Sequence, residues 1–298
     1  MDSVPQLFVE ALCTSLKHCD LWTLRRIRKW TTTAAIHWRK ARTLFVYLQV
    51  NNEGTEVAIG IPARLYDYAP FVVYAKYDKI KRIKIGVNNF EDLPQKISME
   101  CFKRKVIPLI QSMAFKCSLE NPAGGSQHQN LEDCIFHGLR DCAQLREIKT
   151  SNRGESCPEF IERQVALGNV EELALLSDQI WPDRTQASIR SFVKSPRFKY
   201  LDITNSNLRL DFDMVACIVD TYAKVVLYKG TSISGMISFP LQRLNSVHEE
   251  LLKRRLSDKP KPGDKMIWAR FFGSMLIVTM TTNTYIYIGC DDDKCRSM

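Results

Sequence analysis

A short apolar pattern recurs six times along the chain and constrains its fold more than any other feature. In each copy, a helix-like segment is followed by apolar-x-x-apolar-x-apolar, which places alternate side chains on one face of a strand. The middle apolar residue of each copy, called the anchor below, lies 25–34 residues from the next one. The six anchors are Ile83, Cys117, Ile148, Leu173, Leu201 and Leu227. One helix and one strand cannot bury their apolar faces alone, so such units are stable only when neighbours stack.

Two architectures fit this recurrence. The spacing is typical of leucine-rich repeats or slightly longer than them. The copy at 198–208 fits best, because Asn205 and Leu208 supply the Asn-x-x-Leu that ends such repeats, whereas the other copies lack that asparagine. The alternative is an ordinary domain of alternating helices and parallel strands. Both predict a mixed α/β fold, and we expect an irregular leucine-rich-repeat-like solenoid with a mostly parallel sheet over residues 62–256.

The segments on either side of the repeat region read as antiparallel strands. Residues 43–61 hold two β-rich runs around Asn51-Asn52-Glu53-Gly54, which is turn chemistry, and this predicts a connecting hairpin. Residues 257–265 are rich in proline and charge and predict a loop. The β-rich residues 267–289 follow, with a turn near Thr282-Asn283. We therefore expect residues 257–298 to form a loop, a C-terminal β-hairpin that covers the end of the solenoid, and a polar tail.

Residues 1–42 predict two or three short helices. Phe8, Leu12 and Leu16 recur at i, i+4 and i+8, and Pro5 suits the first turn of their helix. Asp20 is a candidate cap for a second helix. Helices this short cannot bury a stable core alone, so they must pack on the rest of the chain or on another protein.

This N-terminal run, V-P-x-x-F-x-x-x-L-x-x-x-L-x-x-x-D-L-x-x-L-R-x-I-R-K-W, resembles the F-box motif in organisation, as it occurs in the divergent F-box families of nematodes. The resemblance covers about 35 residues and implies docking on Skp1 within a Skp1-cullin-F-box (SCF) ubiquitin ligase. The residues expected to form the Skp1-facing surface and its support are Pro5, Phe8, Leu12, Leu16, Leu21, Leu24, Ile27 and Trp30. On the alternative reading, they are only the helical cap of a globular domain.

The residues on either side of each anchor point away from the buried face of the strand, where repeat proteins often bind partners. They are basic in the early copies and acidic or aromatic in the late ones. This substrate face is predicted to comprise Arg82, Lys84, Glu147, Lys149, Glu172, Tyr200, Asp202 and Tyr228. We expect a protein substrate of complementary polarity, with the alternative that the face is simply solvated or covered by loops of the chain.

The remaining features argue against other classes of protein. No phosphate-binding glycine loop, zinc-protease motif or nucleophile elbow is present, so we expect no enzyme, cofactor or metal. Ten scattered cysteines, no signal peptide and no long apolar run favour an intracellular, cytoplasmic or nuclear protein without a membrane span. The net charge of +9 comes with few aromatic residues among the N-terminal cations, so nucleic acid is an unlikely partner. Cys295 has the spacing of a prenylation box, but its flanking residues are polar and acidic.

These expectations define two candidate functions. The first is a non-enzymatic substrate-recognition adaptor of an SCF-type ubiquitin ligase, which binds a Skp1-like adaptor and a protein substrate. The second is a stand-alone repeat scaffold that mediates protein–protein interaction without Skp1.

Overall fold

A computed structural model describes residues 5–16, 18–27, 30–64, 67–73, 76–121, 129–177, 179–224, 231–256, 261–269, 274–282 and 285–292. The chain has a mixed α/β fold and divides into two compact units, Met1–Cys117 and Ser118–Met298. The division falls within the predicted repeat region. The prediction of a mixed α/β class with a mostly parallel sheet and antiparallel C-terminal strands is confirmed by the strand pairings below.

The first unit begins with three helices and continues as a mixed sheet. Its elements are α1 (Gln6–Ser15), α2 (His18–Leu24), α3 (Thr31–Lys40), β1 (Arg42–Val50), β2 (Glu56–Arg64), β3 (Asp67–Ala69), β4 (Asp78–Ile85), β5 (Gln95–Ser98), α4 (Met99–Cys101) and α5 (Ile107–Met113). A π-helical turn, Phe102–Val106, joins α4 to α5. Strand β6 (Ala114–Asn121) crosses into the second unit.

An antiparallel hairpin of β1 and β2 occupies the stretch where the sequence indicates one. Its turn is closed by Asn51, whose side-chain carbonyl accepts hydrogen bonds from the backbone N–H groups of Thr55 and Glu56 at 2.9 and 3.1 Å. Gly54 supplies the left-handed conformation of this turn, with φ of 74°. On its other edge β2 pairs with β3 and β5, while β1 pairs in parallel with β4.

The second unit alternates helices and strands and then becomes all-β. Its elements are α6 (Gln129–Gly138), β7 (Leu145–Asn152), α7 (Ser156–Ala166), β8 (Glu172–Ser177), α8 (Asp183–Val193), β9 (Tyr200–Asp202), β10 (Arg209–Leu210), α9 (Phe212–Lys224), β11 (Ser232–Ile237), β12 (Leu252–Arg254), β13 (Lys265–Ala269), β14 (Ser274–Met280) and β15 (Tyr285–Asp292).

The parallel strands of this unit lie side by side in sequence order, β7-β8-β9-β11. Ile148 aligns with Leu173, Leu173 with Leu201, and Leu201 with Ile233. All four side chains are buried. The three predicted anchors among them therefore occupy equivalent positions, as the apolar pattern requires. The sixth predicted anchor, Leu227, lies outside the described residues.

The helices stack in the same order as the strands, with α6 against α7, α7 against α8 and α8 against α9. Phe136 on α6 stacks on Phe160 on α7, with ring centroids 4.9 Å apart. When successive parallel strands are neighbours, right-handed crossovers place all their helices on one side of the sheet. Among the described helices, none is consequently expected on the opposite side of β7, β8 and β9.

Two buried asparagines link consecutive copies of the helix–strand pattern. This corrects the expectation that the copies before residues 198–208 lack such an asparagine. Asn121 and Asn152 each follow an anchor by four residues and are almost fully buried. The Asn121 amide donates to the Thr150 hydroxyl at 3.5 Å, and the Asn152 amide donates to the Ile180 carbonyl at 2.8 Å. Each hydrogen bond joins one copy of the helix–strand pattern to the next copy.

The C-terminal part is more extensive than a hairpin. Strands β12, β13, β14 and β15 form consecutive antiparallel pairs, and β15 also pairs antiparallel with β11. This pairing covers the edge of the last parallel strand, which would otherwise expose its backbone groups. None of the helices that the structure describes has the length and apolarity needed to span a lipid bilayer.

Candidate functional site

The first candidate surface is formed by α1, α2 and α3, called the helical segment below. Its helices enclose a small apolar cluster of Val9, Cys13, Leu21 and Ala34. Around that cluster pack the partly buried side chains of Leu16, Leu24, Trp30, Trp38 and Ala41. Such a core is small, so packing on the rest of the unit must contribute to the stability of the segment.

The structure divides the eight predicted Skp1-binding residues into two groups. Leu16, Leu21, Leu24 and Trp30 belong to or pack on the apolar cluster. The remaining four lie outside that cluster: Leu12 is half-buried, while Pro5, Phe8 and Ile27 are exposed. Pro5, Phe8 and Ile27 are therefore accessible to a partner, whereas the clustered residues hold the three helices together. Asp20 lies within the first turn of α2, which begins at His18, so it does not occupy the predicted capping position before the helix.

Large apolar side chains are concentrated on the surface of the helical segment. Five of the eleven large apolar residues found exposed among the described residues lie here: Leu7, Phe8, Trp22, Ile27 and Ile36. Sequence reasoning missed Leu7, Trp22 and Ile36, because the apolar spacing of three such short helices does not reveal which face of each is buried. Concentrated exposed apolar surface commonly marks an interaction site.

Polar contacts attach the helical segment to the sheet of the first unit. Glu10 on α1 forms an ion pair with Lys76 at 3.0 Å, which lowers the pKa of the Glu10 carboxyl. The Lys79 ammonium, at the start of β4, donates to the backbone carbonyl of Leu16. His37 is buried with its ring edge-on to Tyr77 at 5.2 Å, and this burial lowers the pKa of the imidazole. These contacts fix the segment on one side and leave its apolar residues outward.

The second candidate surface is a groove on the uncovered side of the sheet in the second unit. We call it the strand-face groove, and it has a volume of about 560 Å³, within the range of protein ligand pockets. Five of the eight predicted substrate-face residues line it: Glu147, Lys149, Glu172, Tyr200 and Asp202. The parallel register explains why these five converge, since Glu147 aligns with Glu172 and Glu172 with Tyr200.

A hydrogen-bond network fixes the aromatic and acidic groups at one end of this groove. One Asp202 oxygen accepts from the Thr204 backbone N–H and from the Ser234 hydroxyl, both at 3.0 Å, and the other accepts from the Tyr200 hydroxyl at 3.3 Å. Burial alone would raise the pKa of Asp202, but these hydrogen bonds outweigh it and the pKa is lowered. Burial and the neighbouring Asp202 charge raise the pKa of Tyr200 to about 12. The groove therefore holds a carboxylate beside a neutral phenol at neutral pH.

The other three predicted substrate-face residues lie elsewhere. Arg82 and Lys84 are half-buried on β4 in the first unit, where the Arg82 guanidinium stands over the Phe45 ring at 5.7 Å. Tyr228 lies outside the described residues. Sequence reasoning missed Asn205, which lines the groove, and Tyr287, whose strand position follows Asp202 and Ser234 across the sheet. The alternation in β15 indicates a strand, but nothing local indicates its pairing with β11.

The described residues include no group of three or more His, Cys, Asp or Glu side chains positioned to hold a metal ion. Among the thiols, burial raises the pKa of Cys157 to about 12, far from the range of a reactive nucleophile. Comparisons of the chain with protein-family models, with curated protein sequences and with solved structures found no match. The fold and the two surfaces define a mixed α/β protein with two candidate binding faces.

Proposed function

We propose that this chain is a non-enzymatic substrate-recognition adaptor of an SCF-type ubiquitin ligase. In this proposal, the helical segment binds a Skp1-like adaptor and the strand-face groove binds a protein substrate. Ubiquitin chemistry then belongs to other subunits, in the cytoplasm or nucleus. The observation that carries the proposal is the apolar surface of the helical segment, where Phe8, Trp22 and Ile27 are each about half exposed although they lie in or next to short helices.

The packing of the helical segment supports the proposed role of this segment in binding a partner. The residues of the F-box-like run that are buried maintain the relative positions of the three helices, and the exposed ones are available to a partner. Burying several such side chains at the centre of an interface contributes most of its binding energy, and each one that anchors a pocket is worth on the order of 2–4 kcal/mol.

We further propose that residues 129–237 form a short leucine-rich-repeat-like array. Three features support this finer description: parallel strands in sequence order, helices stacked in the same order, and buried asparagines that bridge neighbouring units. A repeat array presents a continuous strand face, and that is where the strand-face groove lies.

The test is co-purification of the full chain with Skp1, comparing the wild type with Ile27→Asp. The matched control is Ile180→Asp, because Ile180 is even more exposed, at 80%, but lies in the second unit. We expect wild-type and I180D chains to retain Skp1 and I27D to lose it by at least about tenfold in affinity. If the wild-type chain does not associate with Skp1, the adaptor proposal is wrong and the stand-alone scaffold takes its place.

A further inference from the structure

Beside the exposed apolar residues, α2 and α3 enclose a second groove that carries only positive charge. It is lined by Trp22, Arg25, Arg26, Thr31, Ala35 and Arg39, has a volume of about 370 Å³, and is called the arginine groove below. Thr31, Ala35 and Arg39 follow one another at four-residue spacing along α3, so they form one wall about 12 Å long.

The side chain of Arg25 packs on two indoles in this groove. Its guanidinium carbon lies 4.6 Å from the ring centroid of Trp22 and 4.5 Å from that of Trp38, and the two rings are 5.4 Å apart. Stacking on indoles orients an arginine without neutralising its charge. One terminal nitrogen, Nη1, is buried and has no hydrogen-bond acceptor among the described residues. A buried guanidinium donor without an acceptor is costly.

In the described part of the helical segment, no carboxylate forms an ion pair with the arginines of this groove. Its acids are Glu10, which pairs with Lys76, and Asp20, which interacts with the Cys19 thiol. Elsewhere in the described chain, arginines commonly have an acidic partner, as in the pairs of Arg42 with Asp78 and Arg153 with Glu132. Arg25, Arg26 and Arg39 form no ion pair with any described residue. The described part of the chain therefore supplies no acidic partner for the arginine groove.

We infer that the arginine groove binds an acidic segment of a protein partner, with two carboxylates at the arginines and an apolar side chain on Trp22 and Ala35 between them. The length of the α3 wall fits about four extended residues. Nucleic acid fits less well, because the Arg25 guanidinium already occupies a face of both indoles and leaves them poor platforms for base stacking. The inference rests on the proposed use of the helical segment as a docking surface, and it specifies the chemistry of the partner at one point.

The test uses the full chain and a short fluorescein-labelled peptide in which aspartates and glutamates flank one leucine, with binding followed by fluorescence anisotropy. The same peptide with asparagine and glutamine in place of the acids is the first control. We expect the acidic peptide to bind, the neutral peptide to bind at least about tenfold more weakly, and salt to weaken binding.

Two variants locate the site. Arg26→Glu with Arg39→Glu should raise the peptide Kd by at least about tenfold. The control, Arg140→Glu with Arg209→Glu, changes the net charge equally at exposed arginines of the second unit and should leave the Kd unchanged. Ala35→Phe fills the groove without changing charge and should also weaken binding, with thermal unfolding confirming that each variant is folded.

The inference is overturned if the wild-type chain does not bind the acidic peptide, if both arginine pairs have equal effects, or if a single-stranded oligouridine binds the groove more tightly than the peptide. The adaptor proposal fails separately, through the absence of Skp1 in the co-purification. Peptide binding without Skp1 binding would retain the acidic-segment site and assign it to a different partner.

Discussion

Glu147 on β7 and Glu172 on β8 occupy directly aligned positions on neighbouring strands, and both line the strand-face groove. Like charges in adjacent positions of a sheet repel, so this pair does not serve the stability of the fold. With Asp202 the groove contains three carboxylates and one lysine, Lys149. That balance favours a substrate segment that carries lysine or arginine.

The first prediction follows from this repulsion. Glu172→Gln should raise the free energy of unfolding by about 0.2–1 kcal/mol, because it removes the charge repulsion and retains the shape of the side chain. The same change should weaken binding of substrate proteins that contact the groove. Chemical denaturation measures the first effect, and quantitative mass spectrometry of co-purifying proteins measures the second. Glu159→Gln, at an exposed glutamate on α7, is the matched control. A loss of stability in E172Q would contradict the repulsion argument.

The second prediction concerns Leu24, which is partly buried and packs on the apolar cluster of the helical segment. Leu24→Ala should reduce Skp1 binding tens-fold, chiefly by loosening α2 on α3 at a cost of about 1–3 kcal/mol. Hydrogen exchange should therefore show faster exchange across α2 and α3 in L24A and unchanged exchange in I27D. If both variants are equally protected from hydrogen exchange and lose Skp1 binding equally, Leu24 lies at the interface with Skp1 itself.

The sequence predicts the fold of the second unit better than that of the first. The anchors Ile148, Leu173 and Leu201 were predictable because each strand is buried on one side and the apolar spacing records it. The pairing of β15 with β11 was not predictable, since it joins residues far apart in the chain and depends on how the parallel strands end. Nor were Asn121 and Asn152 recognised, because a buried amide bond becomes evident only when the partner strand is known.

In the helical segment, the sequence does not show which face of each helix is buried. Helix α1 has apolar residues on nearly every side, and periodicity alone favours the Phe8–Leu12–Leu16 stripe over the neighbouring one that contains Val9 and Cys13. The structure buries Val9 and Cys13, where the cysteine acts as a small apolar side chain. The positions of Trp22 and Arg25 are equally invisible from the sequence, since their contact with Trp38 requires the packing of α2 on α3.

A third prediction concerns the buried ion pair of Arg153 and Glu132, whose closest atoms are 3.2 Å apart. Burial raises the pKa of the Glu132 carboxyl, while the Arg153 charge lowers it. Arg153→Ala should cost about 3–5 kcal/mol, because it leaves a buried carboxylate without its cation. The loss should be smaller at acid pH, where Glu132 can be protonated. Denaturation of R153A at several pH values measures this, and Arg163→Ala, at an exposed pair with Asp141, is the control with little effect. A pH-independent loss would contradict the expected role of Glu132.

The fourth prediction concerns thiol reactivity. Cys19 is the exposed cysteine among the described residues, whereas Cys13, Cys117, Cys142 and Cys157 are buried. Burial raises the pKa values of Cys13, Cys142 and Cys157, which further slows their alkylation. In a Cys295→Ser background, iodoacetamide should modify the native protein first at Cys19, and Cys19→Ser should remove the fast phase. Peptide mapping identifies the site, and equally rapid labelling of Cys157 would show that the second unit opens more readily than its packing indicates.

The last prediction concerns the pH dependence of stability at His248, which links a turn to helix α9. Its Nε2 lies 3.1 Å from an Asp220 oxygen and its Nδ1 lies 2.8 Å from a Glu250 oxygen. These two carboxylates raise the pKa of the imidazole above its ordinary value, with Glu250 the larger cause. Lys224 also forms an ion pair with Asp220 at 2.8 Å. Its positive charge repels the protonated imidazole and so acts against the effect of the two carboxylates.

The folded protein therefore holds the His248 proton more tightly than the unfolded chain does. The stabilisation is fully present below the ordinary histidine pKa and is lost as pH rises through the raised value. Because the site is partly exposed and screened, we expect an effect of about 1–2 °C in Tm. Between pH 6 and pH 8, the Tm of the wild type should fall relative to that of His248→Gln, which keeps hydrogen-bonding capacity but cannot be charged. His137→Gln, at an exposed histidine on α6, is the control. If the H248Q and wild-type curves stay parallel across this range, the imidazole does not carry the charge that its two carboxylate neighbours imply.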